Sequence, residues 1–100
     1  MNPYIYMFVR GDLSHPQQIV QTAHAVDEIG KRHKTDKTSY MVLCDAKNEE
    51  SLYDISYHLK KHGIDHEMFY EPDISSCTAI ATRPLVGDER KPLANFKLKR

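Results

Sequence analysis

The chain has 100 residues, which is enough for one domain with a small core and too few for two. Fourteen Lys and Arg balance fourteen Asp and Glu, and this neutrality excludes a uniformly basic nucleic-acid coat and an acidic disordered tail. No apolar run approaches the roughly 18 residues of a membrane span, and the N-terminus lacks the features of a signal peptide. We therefore expect one cytoplasmic domain over residues 1–100, with no membrane association.

The first half of the chain predicts a strand, a helix and a second strand. Residues Tyr4–Arg10 are aromatic or β-branched and apolar on both faces, which is typical of a buried strand. Ser14, with Gln17 three residues later, is typical of a capped helix start. Residues 40–44 are continuously apolar and predict a second central strand. The helix is expected to bury an apolar stripe at helical spacing: Ile19, Val20, Ala23, Val26 and Ile29.

The second half predicts another helix followed by two strands. Asn48 can cap this helix, and Gly63 is expected to close it. Strands are predicted at residues 66–71 and 77–82, with a short turn between them. The order β-α-β-α-β-β predicts an α/β fold with a small mixed sheet of about four strands and the helices packed on it. Strands joined by helices pair in parallel through right-handed crossovers, and the short turn makes the fourth strand antiparallel beside the third.

Polar side chains follow three of the predicted strands, at the edge of the sheet where ligands commonly bind. Asp12 and the helix start after it follow the first strand, Asp45 follows the second, and Glu71 ends the third. Gln17 and Gln21 lie one helical turn apart, so both can face this edge. A carboxylate, amides and a helix N-terminus together could bind an anion, or polarise a carbonyl and activate water.

Four segments of the chain resemble the archaeal and eukaryotic type of peptidyl-tRNA hydrolase: MFVRGDL at residues 7–13, QTAHAVDEIG, KKHGIDHEMFYEPD and CTAIATRP. The resemblance extends over roughly residues 4–84. It implies a mixed-sheet α/β enzyme, often dimeric, that cleaves the ester between a peptidyl or N-blocked aminoacyl group and the 3′ end of tRNA. A homodimer is accordingly one expectation, tRNA is the expected partner, and no cofactor or metal is expected.

Three positions depart from the family pattern, while Gln21 is retained. Gln17 stands where the family has a lysine, Glu71 where it has an aspartate, and Ser76 where it has a threonine. The resemblance implies that Glu71 activates or orients the attacking water and that Ser76 holds Glu71 or the ester oxygen. Gln17, Gln21 or backbone N–H groups would then bind the oxyanion. Because two loops are shorter than in the family, three neighbours remain alternatives for Gln17 and Ser76: Gln18, Ser75 and Thr78.

Basic residues cluster after the first helix and indicate a surface for the tRNA backbone. Lys31, Arg32 and Lys34 are expected to bind substrate there, together with Asp12 and Ser14 at the predicted sheet edge. The alternative interpretation is that the cations belong to solvated loops. At the level of the whole protein, the main alternative is a non-catalytic module that binds tRNA, a nucleotide or a protein.

Other reactive side chains are better explained as parts of the core or the surface. Cys44 and Cys77 are expected to be buried thiols, although exposure of Cys44 would suit a redox or regulatory module. His58 and His62 have the spacing of a metal-binding pair, but lysines adjoin them and no third ligand is evident. The aromatic side chains of the first strand are expected to lie in the core rather than to stack on bases: Tyr4, Tyr6 and Phe8.

Overall fold

A computed structural model describes residues 2–99, and it confirms the predicted α/β fold and element order. Two short 3₁₀ helices, at Pro72–Ile74 and Gly87–Leu93, supplement the main elements. The main elements are β1 (Tyr4–Arg10), α1 (His15–Gly30), β2 (Tyr40–Ala46), α2 (Glu49–Lys61), β3 (His66–Glu71) and β4 (Ser76–Thr82).

The four strands form one mixed sheet in the order β2-β1-β4-β3. β1 pairs in parallel with β2, and β4 is antiparallel to both of its neighbours, as predicted for its pairing with β3. Because β4 runs in the opposite direction, its first residue lies at the edge where β1 and β3 end. Arg10, Ser76 and Glu71 therefore occupy one edge of three adjacent strands, with Ser76 directly opposite Glu71.

The sheet has a separate apolar core on each face. Tyr6 and Phe8 lie on the face covered by α2, which confirms that they belong to the core, and Tyr4 packs at its margin. Cys44 and Cys77 are buried free thiols on the same face, again as predicted. The opposite core lies under α1 and consists of Ile5, Met7, Val9, Ala25, Ile29, Ala79 and Ala81.

Side-chain caps fix the starts of both helices where the sequence predicts them. Oγ of Ser14 accepts a hydrogen bond of 3.3 Å from the backbone N–H of Gln17. Oδ1 of Asn48 accepts one of 3.0 Å from the backbone N–H of Ser51. Each cap satisfies an amide that has no partner within the helix. Among residues 2–99, no helix has the length and apolar content needed to cross a membrane.

The prediction of a buried apolar stripe on α1 is wrong for the first three of its five residues. Ile19 is 72% exposed, Val20 is 46% exposed and Ala23 is also exposed, whereas Gln18 and Gln21 are buried. The two glutamines can be buried because each finds internal hydrogen-bond partners. Nε2 of Gln18 donates to the carbonyl oxygen of Leu13 at 2.8 Å, and Gln21 joins a side-chain network described below. Because the two glutamines occupy the positions that face the sheet, Ile19 and Val20 lie outside the core.

The prediction that the second strand is central is also wrong, because β2 lies at one edge of the sheet. The C-terminal segment covers part of that edge: the N–H of Asp45 donates to the carbonyl oxygen of Lys97, and the N–H of Lys99 donates to that of Leu43. This covering explains how a strand with the composition of a central one can occupy an edge. Met41, earlier in β2, remains 52% exposed.

Candidate functional site

Gln21 is the centre of the candidate site, which lies at the edge of the sheet occupied by Arg10, Ser76 and Glu71. Its side chain is 1% exposed, and every polar atom of its amide has a partner. Nε2 donates to Oε1 of Glu71 at 3.0 Å and to Oε1 of Gln17 at 3.1 Å. Oε1 accepts a hydrogen bond of 2.7 Å from Oγ1 of Thr78. Both amide hydrogens are thus committed, so Gln21 positions its neighbours and has no hydrogen left for a substrate oxygen.

Glu71 and Gln17 are the groups of this network that can still act on a ligand. Glu71 is half-buried, and one of its carboxylate oxygens is held by Gln21. Gln17 is exposed, and its side-chain oxygen accepts a hydrogen bond from Gln21. Its side-chain nitrogen has no partner within residues 2–99. The arrangement places a carboxylate that can accept a proton beside an amide that can donate to developing negative charge.

Ser76 and Asp12 lie at the same edge but belong to a second cluster, centred on Arg10. Nη1 of Arg10 donates to Oγ of Ser76 at 2.7 Å. Nε and Nη2 of Arg10 hold both oxygens of Asp12, at 2.9 and 3.0 Å. These hydrogen bonds lower the pKa of Asp12 and raise that of Arg10. Ser76 stands opposite Glu71 in the sheet, but within the described residues its hydroxyl bonds to Arg10 rather than to Glu71.

Thr78 reaches Gln21 because β4 contains a bulge. The β3–β4 register shifts between Phe69 and Tyr70: Phe69 pairs with Ala79 and Tyr70 with Cys77, which leaves Thr78 as the extra residue. The bulge brings the Thr78 hydroxyl to the α1 side of the sheet, where it meets Gln21. The sequence predicts Thr78 only as one of three alternatives to Gln17 and Ser76, and it predicts Arg10 only as the end of the first strand. The individual role of each depends on side-chain geometry that the sequence pattern does not contain.

The start of β4 is also held from the α2 side. Oε2 of Glu49 accepts a hydrogen bond of 2.8 Å from the backbone N–H of Cys77 and another of 3.1 Å from the Tyr53 hydroxyl. Hydrogen bonds to Cys77 and Glu49 raise the pKa of Tyr53 to about 12. The two bonds to Glu49 join the first turn of α2 to the strand that carries Ser76 and Thr78.

The predicted substrate-binding residues fall into two separate groups. Ser14 caps α1 at the same end as Gln17 and Glu71. Lys31 follows the other end of α1, about 21 Å from Gln17 along the helix at roughly 1.5 Å per residue. The structure therefore brings Asp12 and Ser14 to the candidate site and places the basic cluster beyond the far end of α1.

Within the basic cluster, two of the three predicted cations are paired. Lys31 contacts Glu28 at 3.0 Å. Arg32 contacts Asp65 at 2.9 Å and Glu67 at 2.7 Å, and these bonds raise its pKa. Lys34 has no ion pair within residues 2–99, and it lines a surface cleft with Lys37 and Arg83. Asp36 lines the same cleft and Arg83 pairs with Glu89 at 3.2 Å, so Lys34 and Lys37 are the cations of the cleft that have no ion pair within residues 2–99.

Asp45 and His58, two further polar residues that the sequence analysis considers, contact other groups of the protein. Asp45 pairs with Nζ of Lys99 at 2.7 Å. The ring of His58 contacts the carbonyl oxygen of Pro92 at 2.8 Å and lies 4.6 Å from the ring of His62. The part of the chain that the structure describes contains no group of three or more His, Cys, Asp or Glu side chains able to hold a metal ion.

Comparison with known proteins finds structural similarity only. No family model matches the chain, and no curated protein matches it. Among solved structures, a protein of unknown function from Agrobacterium tumefaciens strain C58 superposes with a TM-score of 0.69 at 16% sequence identity. The match covers 100% of this chain and 99% of that one. At this identity the similarity establishes a shared fold.

Proposed function

We propose that this chain is a cytoplasmic hydrolase that cleaves the ester between a peptidyl or N-blocked aminoacyl group and the 3′ end of tRNA. The observation that carries the proposal is the contact of a buried amide, Gln21, with both the half-buried Glu71 carboxylate and Gln17. The substrate class rests on the resemblance of the four sequence segments to peptidyl-tRNA hydrolases. The geometry supports the reaction type, since it supplies a proton acceptor and an adjacent hydrogen-bond donor.

In the proposed reaction, Glu71 accepts a proton from water as the water oxygen attacks the ester carbonyl. The side-chain nitrogen of Gln17 donates a hydrogen bond to the oxyanion that forms. Collapse of this intermediate breaks the bond to the terminal ribose oxygen, which takes the proton from Glu71. Gln21 keeps the Glu71 carboxylate in place throughout, and the products are a free carboxylic acid and a tRNA with free hydroxyls.

The uncharged Gln17 predicts a slow enzyme. A lysine ammonium would stabilise an oxyanion by charge as well as by hydrogen bonding, whereas an amide offers only the hydrogen bond. Loss of one oxyanion donor typically costs on the order of 10²- to 10³-fold in rate. We expect turnover above the uncatalysed rate but well below that of a site with a lysine at this position.

The same feature favours a second candidate, a module that binds tRNA, a nucleotide or a protein without cleaving anything. The site has no cation at position 17, Gln21 has no free hydrogen, and Arg10 is bonded to Asp12 and Ser76. Because these groups are uncharged or already hydrogen-bonded within the protein, few remain to stabilise a transition state. Binding of a polar ligand without cleavage requires fewer of them. Measured turnover separates the two candidates.

The decisive experiment follows release of an N-blocked amino acid from tRNA by the purified protein. Glu71→Gln keeps the shape and can still accept from Gln21, but it removes the proton acceptor. Asp73→Asn is the matched control, because Asp73 is an exposed acid two residues away with no side-chain hydrogen bond within residues 2–99. Turnover that falls at least about 100-fold in Glu71→Gln and is unchanged in Asp73→Asn supports the hydrolase. Wild-type protein that binds tRNA without turnover supports the binding module, and equal activity of both variants removes Glu71 from the mechanism.

A further inference from the structure

A cavity of about 480 Å³ lies on the α2 side of the sheet, between β2 and the C-terminal segment. It forms because α2 packs mainly against β4, so that residues 90–98 rather than a long helix cover β2 on this side. The volume is within the range of small-molecule sites. We call it the Arg90 cavity, because Arg90 lines it together with a mostly apolar wall: Val42, Cys44, Leu93, Phe96 and Leu98.

The guanidinium of Arg90 is fixed in place by two tyrosines of β1. Its central carbon lies over the ring of Tyr4, 3.4 Å from the ring centroid, which is a cation–π contact. Nε of Arg90 donates a hydrogen bond of 3.0 Å to the hydroxyl of Tyr6. These two contacts order a long side chain before any ligand arrives, and such preorganisation lowers the entropic cost of binding.

The positive charge of Arg90 has no acidic partner within residues 2–99. The other arginines of that range differ in this respect, since each pairs with a carboxylate: Arg10, Arg32 and Arg83. Only Nε of Arg90 is used in a hydrogen bond, so Nη1 and Nη2 have no partner in the part of the chain that the structure describes. Two adjacent guanidinium nitrogens of this kind match the two oxygens of a carboxylate.

We propose that the Arg90 cavity binds a small organic carboxylate with an apolar body. Nη1 and Nη2 of Arg90 hold the carboxylate, and the apolar body packs against the wall formed by β2 and the C-terminal segment. A singly charged head group fits best, because Lys91, the other cation of the lining, lies 3.5 Å from Asp88. The proposal is independent of the hydrolase, since neither Glu71 nor Gln17 lines this cavity.

Titration of the full chain with octanoate, followed by NMR, tests the charge of the site, and 1-octanol is the uncharged comparison. We expect octanoate to bind with a Kd of about 1 mM or tighter, and 1-octanol at least about tenfold more weakly. Arg90→Gln should weaken octanoate binding at least about tenfold and abolish the preference over 1-octanol. Lys60→Gln is the control for lost charge, because Lys60 is exposed on α2 and does not line the cavity. It should leave the Kd unchanged.

A second pair of variants tests the location of the site. Ala94 is exposed and lines the cavity, so Ala94→Phe should fill it and weaken octanoate binding at least about tenfold while leaving Arg90 and its tyrosine contacts in place. Ala23→Phe is the matched control, since Ala23 is an exposed alanine of the apolar groove between α1 and β2, on the other side of the sheet. Absence of octanoate binding, equal binding of 1-octanol, or binding that persists in Arg90→Gln would overturn the proposal. Binding lost in Ala23→Phe but retained in Ala94→Phe would overturn it as well.

Discussion

The hydroxyl of Thr78 donates a hydrogen bond of 2.7 Å to Oε1 of Gln21, which lies 57 positions earlier in the sequence. This bond and the contact with Glu71 select the same orientation of the Gln21 amide. With its oxygen toward Thr78, the amide presents both hydrogens to Glu71 and Gln17. The reverse orientation would set an amide oxygen against the Glu71 carboxylate. Thr78 thus supports the amide orientation in which Gln21 holds both Glu71 and Gln17.

Replacing Thr78 by valine should destabilise the protein while keeping the side-chain shape. The substitution leaves Oε1 of Gln21 buried without a partner, which typically costs about 1–3 kcal/mol in free energy of unfolding. Urea unfolding of Thr78→Val, Gln21→Met and the double variant measures the coupling between the two residues. Because Gln21→Met removes the orphaned oxygen, the double variant should lose at least about 0.5 kcal/mol less than the sum of the single losses. Strict additivity would show that the hydrogen bond does not contribute.

Replacing Gln17 by lysine should accelerate ester cleavage. The Gln17→Lys substitution exchanges a neutral donor for an ammonium beside Glu71, and we expect turnover to rise about 10- to 100-fold. The gain should disappear in Gln17→Lys combined with Glu71→Gln, since both groups serve one reaction. Gly30→Lys is the control for added charge, because Gly30 lies at the other end of α1 with no atoms within 4 Å of an added Cβ. An equal gain from Gly30→Lys would indicate stronger tRNA attraction rather than catalysis.

The sequence was sufficient to predict the strands, the helix caps and the edge at which Glu71 and Asp12 lie, because these depend on local patterns. Apolar runs specify strands, and Ser14 and Asn48 bond within three residues of themselves. The orientation of α1 was not predictable in this way. Hydrophobicity alone favours burial of Ile19 over Gln21, and the outcome reverses because Thr78, Glu71 and Gln17 satisfy the amide.

Two further features were not predictable from local sequence patterns, because they depend on distant parts of the chain. The bulge that directs Thr78 toward α1 is a property of the β3–β4 pairing, not of the β4 sequence alone. The edge position of β2 depends on covering by residues 97–99, which are far away in sequence. The candidate site is therefore predictable as a location, whereas its hydrogen-bond network follows from tertiary structure.

Binding of tRNA should depend on Lys34 more than on Lys60. Lys34 lies in a cleft with other cations, while Lys60 is an exposed lysine on α2, away from that cleft. If the basic cluster after α1 contacts phosphates, Lys34→Gln should weaken tRNA binding. It should also make the salt dependence shallower, reducing the magnitude of the slope of log affinity against log salt concentration by about 0.7–0.9. Lys60→Gln should leave both unchanged. Identical slopes for the two variants would identify the cluster as a solvated loop.

The environment of Cys44 argues against the alternative of a redox module. Burial, followed by the neighbouring Asp45 charge, raises the pKa of the Cys44 thiol from its ordinary 9.0 to about 11. At neutral pH the thiol is therefore protonated and, at 1% exposure, shielded from reagents. Labelling of the native protein with a thiol reagent at pH 8 should be slow and should accelerate only on unfolding. Rapid labelling of Cys44 in the folded protein would instead favour a reactive role.

The raised pKa of the Cys44 thiol also predicts how the free energy of unfolding changes in alkali. Below pH 9 the thiol is protonated in both states, so its contribution to stability is fully present. Between pH 9 and about 11 the unfolded chain releases this proton while the folded chain retains it, so stability falls as pH rises. The loss should reach on the order of 2 kcal/mol at pH 11. Urea unfolding of wild type and Cys44→Ala across this range isolates the effect, because the packing loss in the variant is independent of pH. A difference between the two proteins that stays constant from pH 8 to pH 11 would contradict a buried, protonated thiol.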